Sequence, residues 1–544
     1  MVKKSFIQGA AVLAVAGLFV KFLGAAFRIP LANLIGDVGM ANYTPAYYVY
    51  NLFLILATAG IPVAISKMVA ERVTVGDFRE AERVFTLSRY LMIGIGVFSF
   101  VVVFFGAPIF AALFKLPGSA LAMRTIAPAL VIVPLMASYR GYFQGMQNMK
   151  PTAISQVMEQ VFRVAIGLSL AYAMFQGTVG NILGSNFSPQ EKGAAGASFG
   201  ATAGAVGGLL VMLVIYAVGK KTFKRRIARE RKKPRQNGGA ILKNIAMIAI
   251  PITIGAAIMP IVNLIDAAIV MERLQSAGWS EGAAQALYGQ LTGFVAPIIN
   301  FPQVLTQAVA MSLVPLVAAA YKQKDMVYLQ ENVSFGLRTA ILLGMPCAFG
   351  LAVLAQPILL LLYASQKVSA MSAASCLLVM AVGVIFLSTV QTLTGVLQGI
   401  GKQLIPVRNL VIGIGVKIVV TWILTGIHDV NVKGAAAGTV AAYLIAALLN
   451  LLAVKKYTGT RFDIKITILK PLIASVVMAA CAWGAYKVFF GLLQSNGVAT
   501  LLAIVFAAIV YVVMIFITKS ITREELSRMP KGGKLVRILD RIRK

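Results

Sequence analysis

The chain of 544 residues is 59% hydrophobic and only 12% charged, about half the charged share that is usual in soluble proteins. This composition excludes a soluble globular protein and predicts an all-α polytopic membrane protein. The net charge of +32 does not indicate nucleic-acid binding, because the Lys and Arg residues lie mainly between apolar runs.

Apolar runs of about 20 residues recur along the whole chain and predict 14 transmembrane helices. The predicted spans are 6–35, 43–66, 88–114, 122–146, 152–177, 193–218, 242–271, 284–316, 334–363, 369–400, 403–427, 433–454, 466–490 and 496–518. The first run is too long for a signal peptide, so we expect an uncleaved first span.

The distribution of Lys and Arg predicts the topology. Most of them lie in connections on the side of the N-terminus, whereas the opposite connections hold only Lys115, Lys192, Arg273, Lys367 and Lys433. Cytoplasmic connections carry the excess of positive charge. We therefore expect a multi-pass protein of the bacterial cytoplasmic membrane with both termini in the cytoplasm.

A basic connection at 220–241 divides the chain, with ten Lys and Arg and one acid, Glu230, between residues 220 and 238. We expect this connection to contact anionic lipids. It separates an N-lobe (1–219, spans 1–6) from a C-lobe (242–455, spans 7–12). Spans 13 and 14 (456–519) and a basic cytoplasmic tail (520–544) follow.

Two similar strings predict that the lobes arose by duplication. RGYFQG at 140–145 resembles TGVLQG at 394–399, and each lies near the cytoplasmic end of the fourth span of its half. Together with the count of six spans per half, the match predicts two pseudo-symmetric six-helix lobes plus two C-terminal helices.

The sequence offers little for catalysis. It contains no G-x-x-x-x-G-K-[ST] or H-E-x-x-H string, and its single histidine and three cysteines lack metal-ligand spacing. We therefore expect a transporter that is not an enzyme and has no metal or other cofactor. A monovalent-cation gradient or the membrane potential would drive it. Two interpretations from other classes are a membrane-embedded transferase and a scaffold that recruits synthetic enzymes.

Charged residues inside the spans are candidate substrate-binding residues, because charge within a bilayer normally faces a bundle interior or a water-filled cavity. Lys21 and Arg28 lie two turns apart on one face of span 1. In span 5, Glu159 and Arg163 have the i, i+4 spacing of an intrahelical ion pair.

Further candidates lie in other spans. Arg140 belongs to span 4 and Lys417 to span 11, while Asp266 in span 7 is a candidate for binding a coupling ion. Cations outnumber acids in the first half of the chain, and a guanidinium can donate two hydrogen bonds to one phosphate. The charges therefore predict a site for a phosphate-bearing substrate.

With its basic central connection and its opening phrase KFLGAAFRIPLANLIG at 21–36, the chain resembles the MurJ/SpoVB-like polysaccharide-biosynthesis branch of the MOP flippase superfamily. The branch's first-span pattern of two cations matches Lys21, Leu23 and Gly24, with its second cation one residue late at Arg28. The paired arginines that some members carry in span 2 correspond to Leu54 and Ile55, after Asn51. These departures favour the SpoVB-like relatives.

The resemblance implies a flippase that moves an undecaprenyl-(di)phosphate-linked saccharide, lipid II or a related cell-wall precursor, from the inner to the outer leaflet. It also implies a two-lobed cavity with alternating access, a lipid-tail groove near spans 13 and 14, and action as a monomer. Asn51 joins the candidate substrate-binding residues on this ground. The alternative is a MATE-type drug/cation antiporter, which should carry acidic residues in its cavity.

Overall fold

The computed structural model describes residues 2–178, 186–228 and 237–520, and these ranges contain helices and no strand. The helices are α1 (Val2–Thr58), α2 (Ile61–Thr74), α3 (Phe78–Leu113), α4 (Ser119–Ile126), α5 (Ala129–Gly145), α6 (Lys150–Phe175), α7 (Pro189–Ala228), α8 (Gly238–Ser276), α9 (Glu281–Gly289), α10 (Ala296–Gln323), α11 (Met326–Val353), α12 (Ala355–Leu362), α13 (Lys367–Gly399), α14 (Leu404–Thr425), α15 (Lys433–Thr458), α16 (Lys470–Leu493) and α17 (Asn496–Ile517). Short π-helical segments, Gln290–Val295 and Lys465–Leu469, precede α10 and α16.

The all-α membrane fold is confirmed. The described residues contain 13 helical stretches that are long and apolar enough to cross a membrane. The first of them, Val15–Thr74, covers most of the first predicted span and all of the second, so the 13 stretches correspond to all 14 predictions. Residues 229–236 of the predicted basic connection and 521–544 of the predicted tail lie outside the described residues.

The predicted connection between spans 1 and 2, at residues 36–42, is replaced by a kink at one glycine. Gly36 has φ 70° and ψ −173°, and helix continues on both sides of it. A positive φ of this size lies in the left-handed region that glycine enters without steric cost. A single glycine therefore takes the place of the loop that the hydrophobicity pattern predicted.

Three other predicted spans are interrupted. Span 2 breaks at Ala59 and Gly60 between α1 and α2, span 4 breaks between α4 and α5, and span 9 breaks at Leu354 between α11 and α12. Each segment after a break has a proline close to its start, and proline cannot donate the hydrogen bond that continues a helix. Hydrophobicity alone does not locate such breaks.

The chain forms two compact units. The first consists of Met1–Glu272 with Glu281–Gly293, and the second of Arg273–Ser280 with Phe294–Lys544. In the first unit α6 packs along α7, and α1 contacts both of them. In the second unit α13 packs against α10, α11 and α15, and α16 packs against α17. The predicted lobes, with boundaries at 219 and 242, stay a prediction.

The two similar strings, RGYFQG and TGVLQG, have the same packing role in their respective units. A methyl group built on Gly141 would lie 2.8 Å from the carbonyl oxygen of Pro62 in α2. One built on Gly395 would lie 2.8 Å from the carbonyl oxygen of Ala310 in α10. In both units the glycine lets the fourth predicted span approach the backbone of the second. This correspondence supports the predicted duplication.

We expect Gly141→Ala and Gly395→Ala each to destabilise the protein by about 1–3 kcal/mol, since the added methyl meets backbone that cannot rotate away. Gly255→Ala is the matched control, because that helical glycine has nothing within 4 Å of a built methyl group. Thermal unfolding of the purified protein in detergent measures the effect. Wild-type stability in both variants would contradict the close packing.

Candidate functional site

One face of α1 presents a row of tyrosines after the Gly36 kink. Tyr43, Tyr47 and Tyr50 follow one another at helical spacing, so their rings lie on the same side. The ring centroids of Tyr43 and Tyr47 are 6.2 Å apart, and those of Tyr47 and Tyr50 are 6.0 Å apart. Tyr43 and Tyr50 are buried, while Tyr47 is half-buried. The row offers an aromatic surface with a hydroxyl on each ring.

The kink brings Arg28 onto this row. In a straight helix the positions of Arg28 and Tyr47 would be separated by about 28 Å. Because Gly36 turns the chain, the Arg28 guanidinium carbon lies 5.6 Å from the centroid of the Tyr47 ring. This distance is within the range of a cation–π interaction. Gln290 braces the kink by donating from its amide nitrogen to Oδ2 of Asp37 at 3.1 Å.

A second guanidinium approaches the same ring from α6. The guanidinium carbon of Arg163 lies 5.0 Å from the Tyr47 ring centroid, and the group also interacts with the hydroxyl of Tyr43. Neither Arg28 nor Arg163 forms an ion pair with a carboxylate in the described part of the chain. We call Arg28, Tyr43, Tyr47, Tyr50 and Arg163 the arginine–tyrosine cluster. It concentrates two positive charges at one half-buried place.

The predicted ion pair between Glu159 and Arg163 is wrong. Oε2 of Glu159 instead accepts from Nη2 of Arg140 in α5 at 2.8 Å, and Nε of Arg140 donates to Oγ of Ser155 at 2.8 Å. The side chains of Arg140 and Glu159 are 13% and 25% exposed, so the pair is largely shielded from water. Arg163 turns to the tyrosines, because a neighbouring helix supplies the partner of Glu159.

Glycines in α7 hold α6 in place. A methyl group on Gly200 would lie 2.5 Å from Cα of Gly167, and one on Gly204 would lie 2.5 Å from the carbonyl oxygen of Glu159. Small residues at i, i+4 spacing allow helix backbones to approach closely within a membrane. The stretch of α6 that carries Glu159 and Arg163 is thereby fixed against a rigid partner.

The remaining predicted residues lie in several helices. Asn51 is half-buried in α1, and Lys417 is half-buried in α14 of the other unit. Lys21 belongs to α1, but its side chain lies outside the described part of the chain. Asp266 lies in α8, close enough to Tyr288 for an electrostatic interaction.

Sequence reasoning missed the tyrosines. Four of the chain's 17 tyrosines fall in the string YTPAYYVY at 43–50, a density that could have marked the site.

The string GASFG at 196–200 matches the serine-nucleophile pattern, but it lies inside α7 rather than at a strand-to-helix turn, and Ser198 is fully buried. Among the described residues, no cluster of His, Cys, Asp and Glu could hold a metal ion.

The fold and the site define a multi-pass helical membrane protein with a cationic and aromatic cluster within its helices. Residues 6–321 match the family model described as polysaccharide biosynthesis protein, and residues 291–423 match the MatE model. The chain belongs to the polysaccharide biosynthesis protein family, in the MurJ/SpoVB-like branch of the MOP superfamily.

Full-length relatives occur in Bacillus subtilis (strain 168). The uncharacterized membrane protein YabM is 28% identical, with 99% of this chain and 98% of YabM aligned. Stage V sporulation protein B is 28% identical, with 98% of this chain and 100% of that protein aligned. The lipid II flippase MurJ is 26% identical, with 93% of each chain aligned.

Solved structures have the same fold. An inward closed conformation of the lipid II flippase MurJ aligns with a TM-score of 0.65 and 14% identity, covering 93% of this chain and 98% of that one. An inward-facing multidrug resistance MATE transporter aligns with a TM-score of 0.63 and 15% identity, covering 81% and 94%. At these identities the likeness concerns the fold alone.

Proposed function

We propose that the protein is a flippase that moves an undecaprenyl-(di)phosphate-linked saccharide from the inner to the outer leaflet by alternating access. The substrate would be lipid II or a related cell-wall precursor. The observation that carries this proposal is the convergence of Arg28 and Arg163 on the ring of Tyr47. In this proposal the protein transports a lipid-linked sugar and is not an enzyme.

The arginine–tyrosine cluster has the chemistry that a diphosphate headgroup requires. Each guanidinium can donate two parallel hydrogen bonds to phosphate oxygens. The tyrosine hydroxyls can exchange hydrogen bonds with sugar hydroxyls. Since the cluster is half-buried, these interactions are screened less than at a fully solvated surface.

The engagement of Glu159 with Arg140 leaves the cluster cationic. If Glu159 were paired with Arg163, it would cancel one of the two charges offered to the substrate. In the structure Arg140 donates to the Glu159 carboxylate instead, and Oγ of Ser155 accepts from Nε of Arg140. Arg140 and Glu159 therefore act in this proposal as positioning residues for α6.

The relatives support the same substrate class. Lipid II is the cargo stated in the name of MurJ, which aligns along nearly the whole chain. The MatE match at 291–423 favours the alternative, a drug/cation antiporter. An antiporter for organic cations would need free carboxylates at its site, whereas the arginine–tyrosine cluster presents two guanidiniums.

Complementation tests the proposal. Expression of the chain should restore growth to Bacillus subtilis cells depleted of lipid II flippase activity, if lipid II is the cargo. A parallel arm measures export of other undecaprenyl-linked sugars. Failure in both arms, with the protein present in the membrane at normal abundance, would reject the flippase assignment.

The energy source gives a further prediction. Moving an anionic headgroup outward across an inside-negative membrane is favoured by about 2.3 kcal/mol per charge per 100 mV. We expect a potential set by valinomycin in proteoliposomes to change the flipping rate, and nigericin to leave it unchanged. Dependence on the pH gradient alone, lost in Asp266→Asn, would show instead that a proton drives transport through the candidate coupling residue.

We further propose that both termini are cytoplasmic, that the 220–241 connection contacts anionic lipids, and that the protein acts as a monomer. We also propose that the outer surfaces of α16 and α17, where Val476 of α16 and Val505 and Ile509 of α17 are exposed, accommodate the lipid tail.

A further inference from the structure

A cavity of about 420 Å³ opens at one end of the first unit, separate from the arginine–tyrosine cluster. It lies between the second half of α2, the turn into α3, and the beginning of α8. Pockets of this volume hold small organic groups rather than single ions. In the predicted topology this end of the unit faces the cytoplasm.

The cavity is lined by Glu80, a buried carboxylate without hydrogen-bond donors among the described residues. The residue is only 3% exposed, and neither carboxylate oxygen has a hydrogen-bond partner in the described part of the chain. Its position in the first turn of α3 is favourable for a negative charge because of the helix dipole. The dipole does not supply a donor, however, and a buried carboxylate without donors is strongly unfavourable. A cationic group that donates hydrogen bonds would satisfy it.

Cations also line the cavity. Lys67 and Arg72 belong to the lining together with two further acids, Glu71 and Asp77, and Lys67 is 61% exposed with only a long ion pair of 3.9 Å to Glu71. Exposed ion pairs of this kind contribute little, so the ammonium of Lys67 is available to an anion. The exposed apolar side chains of Val75 and Met247 complete the rim.

We propose that this cavity binds the phosphoethanolamine headgroup of a membrane lipid. The ammonium of the headgroup would donate to Glu80, and its phosphate would accept from Lys67 and Arg72. Val75 and Met247 would contact the first carbons of the acyl chains. A cavity lined by two cations and by a buried acid that lacks donors among the described residues fits a zwitterion that has both an ammonium and a phosphate. This inference does not depend on the proposed flippase function.

Titration of short-chain lipids into the purified, delipidated full-length protein in detergent tests the proposal. We expect dihexanoyl phosphatidylethanolamine to bind at least about tenfold more tightly than dihexanoyl phosphatidylcholine, because a quaternary ammonium has no N–H to donate to Glu80. Glu80→Gln, which keeps the side-chain volume, should weaken ethanolamine-lipid binding at least about tenfold. Lys67→Gln should weaken it by a smaller factor.

Glu281→Gln is the matched control, because it removes the same charge from an exposed position in the same unit. The melting temperature of the lipid-free Glu80→Gln protein shows whether the variant folds, and we expect it to equal or exceed that of wild type. Equal affinity for the two lipids, or unchanged affinity in folded Glu80→Gln, would overturn the proposal. Equal binding of O-phosphoethanolamine without acyl chains would overturn the assignment to a lipid.

Discussion

Arg28→Ala is expected to abolish transport while leaving the protein in the membrane at wild-type abundance. The substitution removes one of the two guanidiniums over the Tyr47 ring and both hydrogen bonds that it could donate to a phosphate. Loss of two charge-assisted bonds corresponds to about a hundredfold or larger loss of rate. Arg28→Lys keeps the charge without the planar fork, so we expect only partial rescue.

The measurement is the flipping rate together with membrane abundance, so that loss of function is separated from loss of protein. Arg461→Ala is the matched control, because Arg461 is exposed in the connection between α15 and α16. If abundance falls in Arg28→Ala as much as transport does, the residue has a structural role and the proposed site is wrong.

The second large effect concerns the Arg140–Glu159 pair. Replacing one member leaves the other charge poorly compensated in a largely shielded place, and breaking a buried ion pair in this way costs about 3–5 kcal/mol. The exposure of 25% at Glu159 reduces that cost, since water reaches part of the carboxylate. We therefore expect Arg140→Met and Glu159→Gln to lower the melting temperature strongly, and the double variant to recover part of the loss.

A double-mutant cycle on thermal stability measures this coupling. We expect a coupling energy of about 0.5–3 kcal/mol between Arg140 and Glu159. The matched cycle combines Glu159→Gln with Arg163→Met, one turn away on α6, and should be close to additive. Coupling of Glu159 to Arg163 and not to Arg140 would restore the intrahelical pair that the sequence suggested and contradict the structure.

The membrane fold could be predicted because hydrocarbon imposes a simple requirement on the sequence. Every span must be long, apolar and helical, and this pattern is visible in composition alone. Local backbone geometry is a different matter. The break at Leu354 lies within an apolar run, where the average hydrophobicity does not change, and at Gly36 the drop in hydrophobicity marks a kink rather than the predicted loop.

The site was predictable only in part. The charges of Arg28 and Arg163 stand out from their apolar surroundings, so sequence alone marks them as candidates. Their convergence on Tyr47 could not be inferred, because it depends on the Gly36 kink and on the packing of α6 against α1. Likewise, the i, i+4 spacing suggested Arg163 as the partner of Glu159, whereas Glu159 pairs with Arg140 of α5. The spacing of residues along one helix does not predict distances between helices.

The central claim is that the arginine–tyrosine cluster carries a phosphate-bearing lipid across the membrane. Its most direct test is flipping of a labelled undecaprenyl-diphosphate saccharide in proteoliposomes that contain only the purified protein. We expect wild-type protein to flip the lipid, and the folded double variant Arg28→Ala with Arg163→Ala to show no flipping above protein-free vesicles. Equal rates for wild type and the double variant, or no flipping by folded wild-type protein, would contradict this account.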